Sequence, residues 1–98
     1  PLPTTVFPEP RPAEVRDAQG TRILVDERGA LSGTPADIAV GGARRGVLSW
    51  AGPWTVIERE WDAARRRVAH RFQIVDAAQV AWLLVHEDAR WSVEARYD

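Results

Sequence analysis

Four residue types are missing from this 98-residue chain: cysteine, methionine, lysine and asparagine. Without cysteine, disulfide bonds and thiolate metal sites are excluded. Without methionine, we expect the chain to be a piece of a longer translation product. All 13 basic residues are arginine, which indicates a GC-rich coding sequence. The arginines are therefore weak evidence on their own for phosphate binding.

Long apolar runs are also missing, since none approaches the roughly 20 residues of a membrane helix. No signal peptide is recognisable, so we expect a cytoplasmic protein. Apolar residues make up 45 % and charged residues 28 % of the chain, which is typical of one small globular domain. The net charge of −1 lacks the positive excess of a typical nucleic-acid-binding domain.

Prolines concentrate at the start, where residues 1–12 hold five of the seven. Proline fixes φ, donates no N–H and biases the preceding residue toward extended structure, so this segment is predicted to be an extended linker or arm. Residues 13–98 are predicted to form one β-rich domain. Leu2, Val6 and Phe7 are unusual in a purely solvated linker, and we expect them to dock on the domain or on a partner.

The last third of the chain predicts a three-stranded meander. Residues 68–75 and 90–97 alternate apolar and polar side chains, as half-buried strands do. Residues 80–85 are apolar almost throughout, which is typical of a central strand covered on both faces. The connections at 76–79 and 87–90 are short enough for hairpins. They lack glycine, so two-residue turns with positive φ are disfavoured.

The first part of the chain also predicts short strands. Residues 13–17 and 21–26 form a hairpin around Gly20, and a strand through Ile38 ends at Gly41. Residues 44–51 form a further strand, and the motif Trp50-Ala51-Gly52-Pro53-Trp54 predicts a corner, because Pro53 cannot continue a ladder. The fold class is therefore all-β: a small, mainly antiparallel curled sheet, either barrel-like or two-layered, with a Pro-rich N-terminal arm.

No residue pattern predicts catalysis, a metal or a cofactor. His70 and His86 are the only histidines, and neither occurs in a metal-ligand spacing. The serines occupy no nucleophile-elbow motif. We therefore expect a protein that is not an enzyme.

Three groups of residues are candidates for binding. Tryptophan concentrates at protein interfaces, and Trp50, Trp54 and Trp61 are predicted to reach the surface, although Trp54 fits a core position nearly as well. Leu83 lies on an apolar stripe between polar rows; the N-terminal hairpin is expected to cover it, and the alternative is a partner. Possible nucleic-acid contacts are Arg44, Arg45, Arg65, Arg66, Arg67 and Arg71.

A family resemblance joins several of these motifs. The series WAGPW, EREWD, RFQIV, AWLLV and RWSVEARYD resembles the C-terminal region of ImuB proteins, the catalytically inactive Y-family DNA polymerase homologues of the bacterial mutasome. The resemblance is strongest over residues 50–98. It continues over residues 15–40 through the loop that contains Gly29, Leu31 and Pro35.

This resemblance implies an adaptor in the SOS response to DNA damage, acting in mutagenic translesion synthesis. The expected partners are an ImuA-type RecA-like protein and the error-prone C-family DNA polymerase. The family's sliding-clamp motif is not in these residues, so clamp binding would use upstream sequence. The implied location is the bacterial cytoplasm, at the nucleoid on recruitment. The alternative is a module that binds single-stranded or damaged DNA in the same complex.

Overall fold

The computed structural model describes residues 5–58 and 67–98, and of residues 56–58 and 67 it describes the backbone alone. This part of the chain contains six strands and no helix. The all-β prediction is therefore confirmed. The strands are β1 (Thr5–Arg16), β2 (Asp37–Val40), β3 (Ala43–Glu58), β4 (Arg67–Asp76), β5 (Ala81–Glu87) and β6 (Arg90–Tyr97).

The six strands form one antiparallel sheet that closes on itself. Each strand pairs with the next along the chain, and β6 pairs back onto β1. Of the two arrangements left open by the sequence, the closed, barrel-like one is therefore present. The meander of β4, β5 and β6 is confirmed as well. Within the described part of the chain, no helix is long and apolar enough to cross a membrane.

The Pro-rich segment takes part in this closure. Thr5 and Val6 pair with the end of β6, and Arg11, Pro12 and Ala13 pair with its start. β1 thus runs through residue 12, where the sequence predicted the boundary between arm and domain. Residues 5–12 of the segment are extended, as proline requires. From Thr5 onward it is nevertheless a strand of the sheet rather than a separate linker.

The inward-facing positions of the strands form a single core. Phe72 and Ile74 on β4, Leu84 on β5 and Val93 on β6 are almost completely buried and follow the two-residue period of a strand. Ile23 comes from the segment between β1 and β2 and closes this core. The indole of Trp91 donates a hydrogen bond to the Ile23 carbonyl oxygen at 2.8 Å, which fixes that segment over the interior.

Three hairpin-like loops share one hydrogen-bonding pattern. Each begins with an aspartate whose carboxylate accepts hydrogen bonds from the backbone N–H groups two and four residues later. The residue at the third position after each aspartate has a positive φ. The aspartates are Asp17, Asp26 and Asp76, and the positive-φ residues are Gly20, Gly29 and Gln79. Only the third loop places a side chain in this left-handed conformation.

The turn between β5 and β6 contradicts an expectation from the sequence. Glu87 and Arg90 are paired, so the turn has two residues, and both have positive φ: 54° at Asp88 and 60° at Ala89. This is the turn type whose twist matches that of a hairpin. Pairing of the long flanking strands thus selects the conformation although neither residue is glycine.

We predict that Gln79→Gly stabilises the domain by about 1 kcal/mol, because glycine adopts positive φ without the steric cost of a Cβ atom. Gln79 is exposed, so its side chain has little packing to lose. Urea denaturation measures the change. Gln79→Ala is the matched control, since it removes the side chain but keeps the Cβ atom. An equal gain in both variants would contradict the explanation.

The carboxylate of Asp76 is the most heavily bonded side chain of the core. It is fully buried, and besides two turn N–H groups it accepts the indole N–H of Trp82 at 2.9 Å. The Arg45 guanidinium on β3 lies 3.5 Å away. Burial alone raises the pKa of Asp76. The hydrogen bonds from Trp82, Val80 and Ala78, with the charge of Arg45, outweigh burial and lower this pKa below its ordinary value.

Asp76→Asn is therefore expected to destabilise the domain by about 2 kcal/mol at neutral pH. The asparagine amide has one oxygen, whereas in the unmodified protein the donors share the two oxygens of the Asp76 carboxylate. The variant should also lose part of its acid sensitivity. Because folding lowers the pKa of Asp76, its carboxylate stabilises the folded domain above the unfolded-state pKa near 4. This stabilisation is lost as the pH falls from there through the folded-state pKa. Asp26→Asn is the exposed control with the same turn pattern, and we expect a smaller loss. Equal losses in urea denaturation would contradict a special role for the buried carboxylate.

Candidate interaction surface

Three large apolar side chains on β3 are exposed to solvent: Leu48 at 60 %, Trp50 at 42 % and Trp54 at 50 % of their accessible area. We call them the β3 patch. All three lie within seven residues of one strand. Trp50 pairs with the core-facing Ile74 and Trp54 pairs with Arg71 on the outer face, so the two indoles emerge on opposite sides of β3. Large exposed apolar residues this close together are uncommon on monomeric proteins and mark binding surfaces.

The β3 patch lies where β3 has a strand neighbour on one side only. Pairing with β2 ends at Gly46, whereas pairing with β4 continues from Val47 to the end of the strand. Among the described residues, no strand pairs with the other edge of β3 beyond this point. The loop at Gly29 approaches that edge near Pro53. The side chains of the patch thus project from a strand held mainly by β4.

The predicted corner between the two tryptophans is present. The register with β4 shifts between Ala51 and Trp54, and the Gly52–Pro53 peptide bond is cis. Gly52 has φ of 126°, and a Cβ atom there would lie 2.8 Å from the Arg71 carbonyl oxygen and from the ring of Phe72. Only glycine fits this close approach. Trp54 is exposed, so the alternative that placed it in the core is wrong.

The other predicted partner-binding residues have different surroundings. Val6 is 63 % exposed on β1. Phe7 is partly buried against the core, and the Arg11 guanidinium lies 4.4 Å from its ring centroid. Leu83 on β5 is half-buried. Leu2 and Trp61 lie outside the described residues. Leu48 was not among the predicted site residues, because its exposure follows from a register irregularity between Val47 and Ser49.

The outer face of β5 is covered at Val85 by an ion pair and not by the N-terminal hairpin. Arg71 on β4 and Glu94 on β6 approach to 2.8 Å, and because β5 lies between these strands the pair crosses it. Val85, which pairs with Arg71, is consequently only 6 % exposed. The expectation that the hairpin covers this face is wrong, since Ile23 of that segment packs on the core side.

Those predicted nucleic-acid arginines whose side chains the structure describes do not form one surface. Arg44 is exposed, whereas Arg45, one residue further along β3, reaches the buried Asp76. Arg71 is engaged by Glu94. Arg65 and Arg66 lie outside the described residues, as does the side chain of Arg67. Alternation along a strand therefore separates neighbours that the sequence places together.

The two histidines meet across β4 and β5. His70 and His86 are paired in register and buried, and Thr55 Oγ1 lies 3.0 Å from His70 Nδ1. The ring of His86 packs edge-on against Trp91. Its Nε2 atom is buried and makes no hydrogen bond within the described part of the chain. Burial, followed by the nearby charge of His70, lowers the pKa of His86.

These histidines lie in an open depression of about 600 Å³ that also contains acidic side chains. No group of three or more histidine, aspartate or glutamate side chains among the described residues is arranged to hold a metal ion. The neighbours of the pair are Trp91, which packs against His86, and Thr55, which lies beside His70.

We predict that His86 makes the domain less stable below about pH 6.5. Because its folded-state pKa is lowered, the unfolded chain binds a proton first as pH falls, and stability decreases. His86→Phe keeps an aromatic ring beside Trp91 and should weaken the dependence of unfolding free energy on pH between 7.5 and 5.5. Urea denaturation at both pH values measures it. An unchanged pH dependence would contradict the buried, neutral state of His86.

Comparison with known proteins identifies no relative: no protein-family model, no curated protein and no solved structure matches the chain. The resemblance to the ImuB C-terminal region therefore stays a prediction based on sequence motifs.

Proposed function

We propose that this domain is a protein–protein adaptor that uses the β3 patch to recruit its partners. Following the sequence resemblance, these partners are an ImuA-type RecA-like protein, the error-prone C-family polymerase, or both, in damage-induced translesion synthesis. The observation that carries the proposal is the exposure of Leu48, Trp50 and Trp54 on one strand. Any clamp contact would belong to residues outside this chain.

Indole side chains explain why this surface suits a partner protein. Tryptophan is enriched among residues whose truncation costs the most binding free energy, since one rigid side chain buries a large area. Six residue steps separate Leu48 from Trp54, a span of about 20 Å along a strand. Because the two indoles emerge on opposite faces, a partner reaches both by packing around the edge of β3 that no described strand covers.

Other candidate surfaces support the proposal less well. The stripe through Leu83 lies beside Val85, which the Arg71–Glu94 pair already shields from water. Phe7 packs on the core, so removing it would alter the fold. Val6 is exposed but small. The β3 patch therefore combines high exposure with large side chains and few contacts that a substitution would disturb.

The test is co-purification of the domain with each candidate partner separately, followed by titration. Trp54→Ala and Trp50→Ala should leave the melting temperature nearly unchanged and weaken binding by about 30-fold, which corresponds to roughly 2 kcal/mol. Leu24→Ala is the control, because Leu24 is 50 % exposed but lies outside the patch. Normal binding by both tryptophan variants would exclude the β3 patch. Failure of the unmodified domain to bind either partner would overturn the adaptor function.

A further inference from the structure

Residues 48–55 of β3 are exposed on both faces of the sheet. Every residue in this stretch is exposed apart from Gly52, which is half-buried. The neighbouring strand β4 differs, since it buries alternate residues such as Phe72 and Ile74. A strand that covers a core from one side has one buried face. This part of β3 therefore contributes little to the core, and both of its faces are accessible to a partner.

One edge of the same stretch is open. Before it, the Val47 N–H donates to the Ala36 carbonyl oxygen at 3.0 Å, and at its far end the loop at Gly29 approaches the ring of Pro53. Between these two points, no strand of the described chain pairs with β3 on the side away from β4. We call residues 48–52 the open edge. An edge strand presents a row of N–H and C=O groups that can pair with another strand.

We propose that the open edge binds an extended segment of the partner protein, which joins the sheet as a strand beside β3. The inference rests on the proposed adaptor function and names the form in which the partner is recognised. In strand addition, main-chain hydrogen bonds supply affinity and the alternating side chains supply specificity. Both elements are available here, because the β3 patch lies directly beside the open edge.

The positions of the two indoles favour a strand over a helix as the occupant. Trp50 shares the face of Ile74, whereas Trp54 shares the opposite face with Arg71. A strand directs successive side chains to alternate faces, so one set contacts Trp50 and the other set contacts Trp54. A docked helix lies on one face and covers one indole. The segment should therefore carry an unbroken apolar run, with apolar side chains on both faces, over the length of the open edge.

Irregularities in β3 argue against a second copy of this chain as the occupant. The register with β4 shifts between Val47 and Ser49 and again between Ala51 and Trp54, and Pro53 has no N–H to donate. Bulges and proline discourage the pairing of like edges. A self-paired edge would carry these irregularities on both strands, whereas a partner segment can supply a regular strand. Pairing is confined to the few residues between the two shifts, so the indoles must supply much of the affinity.

The experiment screens overlapping peptides of about 12 residues, longer than a typical strand, that together cover each candidate partner. Binding to the unmodified domain is measured by fluorescence anisotropy. We expect the peptides that bind to share one apolar run. N-methylation of the amides in that run should weaken binding by about tenfold or more, because it removes hydrogen-bond donors and keeps the side chains. The control peptide carries the same number of N-methyl groups outside the run.

Amide hydrogen exchange of the domain, followed by NMR, locates the new hydrogen bonds. When the peptide binds, exchange should slow by about tenfold or more at alternate amides of the open edge, because only those N–H groups gain an acceptor. The strand β5 is the internal control. It is already paired on both edges, so its amides should not change.

Substitutions test the contact with both faces. Trp50→Ala and Trp54→Ala should each weaken binding of the peptide, and Leu24→Ala, outside the β3 patch, should not. Melting temperatures establish that the variants are folded. In sedimentation velocity the domain alone should be a monomer. A dimer whose open-edge amides are already protected would instead assign the edge to a second copy.

Four further results would overturn strand addition and leave the adaptor function intact, provided that a full-length partner binds. These are failure of every peptide to bind, equal binding of the N-methylated peptide, unchanged exchange at the open edge, and a loss of affinity confined to one tryptophan variant. If the unmodified domain binds neither full-length partner, the adaptor function is wrong and this inference is wrong with it.

Discussion

The arrangement of the sheet around β3 depends on the buried carboxylate of Asp76. It ends β4, shapes the turn to β5, holds the indole of Trp82 and attracts Arg45 from β3. A buried charge is tolerated only when its oxygens are fully hydrogen-bonded. This requirement fixes three consecutive strands relative to one another at one end of the ring.

That fixed end explains how the β3 patch is displayed. β3 is held between β2 and β4 as far as Gly46, with Arg45 directed inward to Asp76. Beyond it the strand pairs with β4 alone, and the corner at Gly52 lets it bend closely over Phe72. A rigid start and a one-sided continuation leave Trp50 and Trp54 exposed on an ordered backbone, which suits recognition at low entropic cost.

Charge is distributed unevenly although the net charge is close to zero. The charges of Arg71 and Glu94 neutralise each other in an ion pair, which shields Val85 from water. Arg22, Arg44 and Arg90 line a cleft at the turn between β2 and β3, and Glu87 and Asp88 line an adjacent depression at the turn between β5 and β6. A total of −1 therefore does not exclude an anion-binding surface, because binding responds to the local field around a cleft.

The sequence by itself determined the three strands of the meander, the place of β5 between its neighbours, the core face of β4 and the corner at Gly52-Pro53, because side-chain alternation and proline chemistry act over a few residues. The strand predicted over residues 21–26 is instead reduced to isolated bridges at Arg22 and Val25. Tertiary structure decided the ring closure by β1, the positive φ of Asp88 and Ala89, and the covering of Val85. It also separated Arg45 from Arg44 and joined Arg44 with Arg90. These features depend on which strands become neighbours, and contacts between residues far apart in the chain exist only once the sheet has closed.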